Sequence, residues 1–291
     1  MVKQLILFFE KMAYTLYGIL KIVKGTKFRQ QIEKQNTRGD ACYILGNGPS
    51  LNKDIEKCKI RSESKNLIVV NSFASSDLYT KLMPNYYVLA DPAYYIDSLD
   101  QQVLLSINKF FVDLKEKSTW PIILFVPFEG QKRIQNLLKE NTNITVTGFN
   151  KVNTWKGFKW FDRWVYNHQW AIVSGYNVIM TALHIAIAAG FNIIYLLGVD
   201  HTWHKNVVVS ENNLLYEYDT HFYDKESMKP TPVLIEEPNK VRFLKLHELL
   251  NILNKAFETY HYIEDYAKYK KVKIFNCTSD SYIDAFERIR L

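Results

Sequence analysis

Three cysteines, Cys42, Cys58 and Cys277, are all that 291 residues contain, and no two of them form a CxxC pair. An odd, sparse set excludes a disulfide scaffold or a zinc framework and points to a reducing compartment. Long apolar runs are missing too. The uncharged stretch Met12 to Leu20 falls far short of the roughly 20 residues that a spanning helix needs. Charges break the apolar N-terminal region and no small-residue cleavage site follows, which argues against a signal peptide. Several catalytic signatures are absent: GxxxxGKS/T, GxGxxG, GxSxG, HExxH and the Asp-x-Asp pair of many metal-dependent glycosyltransferases. These absences weigh against P-loop ATPases, classical dehydrogenases and metalloproteases. No repeat or low-complexity segment stands out.

What remains is an ordinary globular composition, 47% hydrophobic and 23% charged, in a chain long enough for one α/β domain with appendages. Aromatic residues are abundant, with 19 Tyr and 17 Phe; most suit a core, and a surplus suits stacking against a base or sugar. The net charge of +7 favours anionic partners such as phosphorylated donors or anionic lipid. The basic residues are dispersed and carry no RNA- or DNA-binding signature, so nucleic acid is not an expected partner.

Leu5 to Val23 reads as an amphipathic helix. Lys3, Glu10, Lys11, Gly18 and Lys21 fall near one stripe, with Ile6, Phe9, Leu16, Leu20 and Val23 opposite. Lys21, Lys24, Lys27 and Arg29 gather at its end, each worth about 1 kcal/mol beside an anionic leaflet. Two readings follow: residues 3–29 lie on the inner face of the cell membrane, or the helix packs on the domain or on a partner subunit. Lys27 to Asp40 is polar and reads as a linker.

From Ala41 onward, strand-like runs occur at Ala41–Leu45, Asn66–Val70, Tyr86–Leu89, Pro121–Val126, Ile144–Val146, Ile193–Leu197 and Val272–Phe275. Helical patterns at Ser75–Leu82, Gln131–Glu140 and Ser174–Ala189 separate several of them. Continuous apolar strands alternating with helices predict a mostly parallel sheet covered on both faces. The last of these helices is apolar nearly all round, so it should be deeply buried, stopped by Gly190 and holding His184 as a satisfied core histidine. Thr147–Trp170 and His201–Lys240 read as irregular, and the second follows a strand end where open α/β sheets place their ligands.

Polar residues recur at successive strand ends. Tyr43-Ile44-Leu45 runs into Gly46-Asn47-Gly48-Pro49-Ser50, where glycines let backbone amides approach a phosphate and Asn47 offers a further donor. The plainer alternative is a tight turn with Pro at the start of a helix. Asn71 ends the second strand and Asp91 the third; each alone reads equally well as a cap or turn residue. Ser174-Gly175 opens the buried helix, with Ser174 as its cap. Gly198-Val199-Asp200-His201, then His204, and later His221 and Tyr223 follow the sixth strand. Asp200, His201 and His204 are metal ligands by residue type, but their spacing is no metal motif, and no metal is expected. A histidine in a segment over a donor site suits general-base chemistry.

Together these segments resemble the bacterial sialyltransferases of the Campylobacter type and the group around them, which includes the Maf flagellin glycosyltransferases and an archaeal hydroxymethylpterin diphosphokinase. The matching pieces are GNGPS at 46–50, Asn71 in Val-Asn-Ser-Phe, Ser174-Gly175-Tyr176 and Ala188 through Asp200. The resemblance implies a Rossmann-like domain over 40–291, a lid over about 201–240, and an amphipathic helix and linker over 1–39. It implies donor contacts from Gly46, Asn47, Gly48, Ser50, Asn71, Ser174 and Gly175, with Asp91 and Asp200 at the same rim. Asp91 stands where the sialyltransferases have Asn, which leaves the donor open. It also implies a base in the lid, His221 beside Tyr223, with His204 in reserve.

The activity so implied is a metal-independent glycosyltransferase of cell-surface polysaccharide or glycolipid synthesis. It needs no cofactor, takes its sugar from a CMP nucleotide-sugar donor, and passes it to a glycan or lipid-linked acceptor at the cytoplasmic face. Self-association is left open. The alternatives are a diphosphokinase acting on a pterin-like alcohol and a non-catalytic membrane-docked nucleotide-binding scaffold.

Overall fold

The computed structural model describes residues 2–34, 41–61, 66–96, 101–173, 177–218, 230–237 and 240–291. A 24-residue helix, α1 (Val2–Gly25), precedes the sheet. The central elements then run β1 (Ala41–Leu45), α2 (Leu51–Lys57), β2 (Leu67–Val70), α3 (Leu78–Leu82), β3 (Tyr86–Val88), α4 (Gln101–Lys117), β4 (Ile122–Pro127), α5 (Phe128–Leu138) and β5 (Ile144–Phe149). After α6 (Lys159–Asn167) and α7 (Val178–Ala188) comes β6 (Ile193–Leu197). Five short strands follow: β7 (Val207–Val209), β8 (Leu215–Glu217), β9 (Thr231–Pro232), β10 (Leu234–Glu237) and β11 (Lys240–Phe243). The chain closes with α8 (Leu246–Lys270), β12 (Lys273–Asn276) and β13 (Glu287–Arg288).

Eight strands form one sheet in the order β13-β12-β6-β1-β2-β3-β4-β5, and every ladder in it is parallel. A parallel sheet must be covered on both faces, so its strands carry apolar residues pointing both ways. Ile44, Ile68, Val70 and Val88 enter one core with α7, α8 and α6. Leu45, Leu67, Val69 and Tyr87 enter the other, with α2, α3, α4 and α5. The predicted α/β architecture is therefore the observed one.

Helix α7 is buried without a break from Ile179 to Ile187, as its all-round apolar composition requires. Gly190 follows it at φ +97°, a conformation that glycine takes freely. The helix begins later than predicted. Asn177 caps it, accepting a bond from the Met180 amide at 3.2 Å; the predicted cap, Ser174, lies outside the described residues. His184 is buried as predicted but not satisfied: neither ring nitrogen has a partner. Burial pushes its pKa down to about 3, which keeps the ring neutral where it stacks on Tyr266.

Three other regions are more ordered than their composition implies. Residues 147–170 contain the end of β5 and all of α6. Within 201–240, β7, β8 and β9 form a small antiparallel sheet, and β10 pairs with β11. Lys27 to Lys34 is no loose linker: the Lys27 amide donates to Asn150 Oδ1 at 2.8 Å, and Ile32 is buried with its amide on Gln169 Oε1 at 2.5 Å.

Candidate ligand-binding cleft

β1 and β6 are neighbours, yet the chain reaches β6 only after running outward through β2, β3, β4 and β5. Their boundary is thus a topological switch point, where the carboxyl ends of an open sheet diverge and leave a crevice. Gly46 to Pro49 leaves β1 here and Gly198 to Trp203 leaves β6, and both line a cleft of about 480 Å³. That size suits a small-molecule ligand. Asn71 after β2, Asp91 after β3, Lys151 after β5 and Asn177 before α7 complete the wall.

The glycines of GNGPS have a different job from the one predicted. A Cβ on Gly46 would stand 2.4 Å from the Gly198 carbonyl oxygen, and one on Gly48 would stand 1.9 Å from Asp200 Oδ2. They let the two strand-end loops press together. The loop amides are mostly taken up in that contact: Gly46 N donates to Leu197 O at 2.8 Å, Gly48 N to Gly198 O at 2.9 Å, and Ser50 N to Asp200 Oδ1 at 3.2 Å. Pro49 has no amide hydrogen. Among the described residues only the Asn47 amide in this loop is left without a protein acceptor. An extended phosphate cradle of bare amides is therefore not what this loop presents.

Side chains supply the unsatisfied polarity instead. Asn47 Nδ2 donates to Val70 O at 3.3 Å, while its Oδ1 is buried and has no partner. Asn71 Oδ1 and Asn177 Nδ2 are buried and unpartnered in the same way. Buried polar atoms without partners are rare and costly, on the order of 1–3 kcal/mol each. All three residues line the cleft, so the unmet polarity is gathered at its wall. The backbone carries strain at the same rim: Asn71 has φ +50° and His201 φ +52°, both left-handed without being glycine.

Behind the GNGPS loop lies a carboxylate pair. Ser50 Oγ sits 2.9 Å from Asp54 Oδ2 and 3.0 Å from Asp200 Oδ2, although one hydroxyl has one hydrogen to give. Asp54 also accepts the amides of Gly198 and Ser279, each at 3.0 Å. Burial raises the Asp200 pKa to about 6, with bonds from Ser50 opposing and the Asp54 charge reinforcing. Below about pH 6 a proton on Asp200, donated to Ser50 Oγ, would resolve the conflict.

On the opposite wall, Tyr260 Oη donates to Asn177 Oδ1 at 3.1 Å and also contacts His201 Nε2. Burial drives the His201 pKa down to about 3, and its ring stacks 4.0 Å from Trp203. Lys151 Nζ donates to Ala90 O at 2.5 Å and Tyr95 Oη at 3.2 Å, and burial lowers its pKa. It is the one lysine or arginine lining the cleft among the described residues.

The predicted residues Gly46, Asn47, Gly48, Asn71, Asp91 and Asp200 therefore converge on one cleft. Ser50 lies just behind it, engaged with both carboxylates. His204 is on the short turn Trp203–Lys205, its ring edge-on to Tyr282 at 4.4 Å; it does not line the cleft, although Trp203 and Asn206 do. Ser174, Gly175, His221 and Tyr223 lie outside the described residues. Lys151, Asn177 and Trp203 were not singled out as site residues. Asn177 and Trp203 stand close in sequence to residues that were, whereas nothing in the pattern around Lys151 marks it.

A parallel sheet with a polar cleft at its switch point defines a Rossmann-like α/β fold with a candidate ligand site. The chain belongs to the MptE-like family, described as 6-hydroxymethylpterin diphosphokinase MptE-like, whose family model matches residues 15–206. Comparison with curated proteins yields no match. Among solved structures, the chain is similar to the Maf glycosyltransferase from Magnetospirillum magneticum AMB-1, with a TM-score of 0.51 and 16% identity. That match covers 92% of this chain and 37% of the other, so this chain spans little more than a third of that protein's length. At such identity the likeness is one of fold.

Proposed function

We propose that the chain is a glycosyltransferase that binds a nucleotide-sugar donor, CMP-linked by our reading, in the switch-point cleft. One observation carries the proposal: Asn47 Oδ1, Asn71 Oδ1 and Asn177 Nδ2 are buried, unpartnered and gathered at one crevice. Such a set suits the hydroxyls and amine of a nucleotide. Lys151 offers the positive charge for its phosphate. In the proposed reaction the acceptor hydroxyl oxygen bonds to the anomeric carbon while the carbon–oxygen bond to phosphate breaks. The nucleotide departs with that electron pair, and the hydroxyl proton passes to a base. His221 with Tyr223 is the first candidate for the base and His204 the second. Ser174 and Gly175 are assigned to the nucleotide on resemblance alone.

The family description favours a second reading, transfer of pyrophosphate from ATP to an alcohol. That chemistry normally uses Mg²⁺. Among the described residues no cluster of three His, Cys, Asp or Glu side chains is placed to hold a metal. Asp91 Oδ1 already accepts the Ala93 amide, and both Asp200 oxygens face Ser50. These residues do not fit a protein-built metal site.

Thermal-shift measurements with CMP, UDP, GDP and ATP donors, with and without EDTA, separate the readings, since a ligand of the native state raises the melting temperature. A shift with a CMP-sugar that survives EDTA and is lost in Asn47→Ala and Asn71→Ala supports the first. A shift with ATP alone that EDTA abolishes replaces it with the second. His221→Ala should lower turnover by at least about a hundredfold while leaving the shift intact, and unchanged turnover would remove that assignment.

A further inference from the structure

Helix α1 is attached by the wrong side for a helix of a water-soluble domain. Its buried residues are Thr15, Gly18 and Ile22. Thr15 Oγ1 accepts the Phe158 amide at 2.9 Å, Lys21 Nζ donates to Asn153 O at 2.9 Å, and Gly18 sits against Thr154 and Phe161. The sequence pattern places Lys11, Gly18 and Lys21 on a polar stripe, and that is the stripe resting on the domain. The apolar side points outward, with Leu16 at 55%, Leu20 at 68% and Val23 at 70% exposure. Leu5, Ile6, Leu7, Phe8 and Phe9 are also exposed, and five successive residues turn through more than a full helical turn. A contiguous apolar surface of this kind marks an interaction site.

Two further features identify the occupant. The surface continues onto the domain through Phe8, Phe158 and Trp160, at ring separations of 5.5 and 6.5 Å, and Trp160 is 67% exposed. Tyr14 and Tyr17 are exposed on the helix itself. Tyr and Trp suit the boundary between lipid and water, where one end of the ring is wet. The charges are basic: Lys3, Lys11, Lys21, Lys24, Lys27 and Arg29 against Glu10 alone in residues 2–29. Among the described residues no helix is long and apolar enough to cross a membrane.

We propose that α1, with Trp160 beside it, embeds in the interfacial layer of a leaflet that carries anionic lipid, lying in its plane. Lys24, Lys27 and Arg29, at and just beyond the end of the helix, supply the electrostatic attraction. This proposal is independent of which transfer reaction the cleft performs.

The test is flotation of the full chain with vesicles of phosphatidylcholine alone, or with about one-third phosphatidylglycerol, at low and high salt. The expected result is binding to the anionic vesicles, weakened by salt and little seen with the neutral ones. Leu16→Glu with Leu20→Glu should reduce binding at least about tenfold, and Lys24→Gln or Lys27→Gln about fivefold each. The leucine pair is exposed and away from the packed stripe, so the variant should melt with the wild type, which circular dichroism checks. No vesicle binding, binding that ignores lipid charge and salt, or binding retained by the double variant overturns the proposal. So does a concentration-dependent dimer in place of vesicle binding, abolished by the double variant, which would make a second copy the occupant.

Discussion

Ser50 has one hydroxyl hydrogen and two carboxylates within reach, Asp54 at 2.9 Å and Asp200 at 3.0 Å. Burial raises the Asp200 pKa to about 6, above the roughly 3.9 of an unfolded aspartate. The folded state therefore holds this proton more tightly than the unfolded chain. Stability from that proton is fully present below about pH 4 and is lost as the pH rises through about 6. Asp200→Asn keeps an acceptor for the Ser50 amide and a donor for Ser50 Oγ, mimicking the protonated acid. In urea titrations the variant should match wild type near pH 4 and exceed it near pH 7.5 by up to roughly 3 kcal/mol. Parallel stability-versus-pH curves for the two proteins would place the proton elsewhere. Neither the shared hydrogen nor its pH dependence is visible in Gly-Asn-Gly-Pro-Ser and Gly-Val-Asp, which lie 150 residues apart in the chain.

The loops after β1 and β6 behave as one element, because the glycines of the first leave room for the backbone of the second. Gly48→Ala puts a methyl carbon 1.9 Å from Asp200 Oδ2, so the loops must separate at a cost of about 1–3 kcal/mol. The melting temperature should fall and donor binding should disappear together. Gly190→Ala is the control. It strains a left-handed position at φ +97° far from the cleft, should cost about 1 kcal/mol, and should leave binding unchanged. If Gly48→Ala binds donor normally, the loop contact does not shape the cleft. The presence of these glycines was legible as a functional mark, but their reason was not. Approach to a ligand and approach to another backbone make the same demand on a sequence.

In the sheet as a whole, β1 lies between β6 and β2 at the centre, while β5 and β13 form the edges. Opening a central strand disrupts ladders on both sides and both cores, whereas an edge frays alone. Amide hydrogen exchange should therefore be slowest in β1, β6 and β2 and faster in β5 and β13. Adding the donor should protect the amides of residues 46–48, 71 and 198–203 beyond that baseline. Protection confined to the edges, or absent from these three strand ends, would show that the ligand binds elsewhere. The strand order also explains why loops distant in sequence meet: the chain leaves β1 in one direction and returns at β6 on its other flank.

The strands from Ala41 to Phe275 and the buried α7 were determined locally, by runs of apolar residues long enough for one element and bounded by polar breaks. The GNGPS, Asn71, Asp91 and Asp200 strand ends were legible for the same reason, since a polar residue at the end of an apolar strand has few other places to go. Lys151 was not, because a lysine after a strand looks like any solvated lysine until the fold turns it onto the Ala90 carbonyl. The orientation of α1 was also beyond the sequence. Periodicity separates two faces of a helix, but only the hydrogen-bonding groups of Phe158 and Asn153, brought alongside by the fold, select the polar face for packing and leave the apolar face outward.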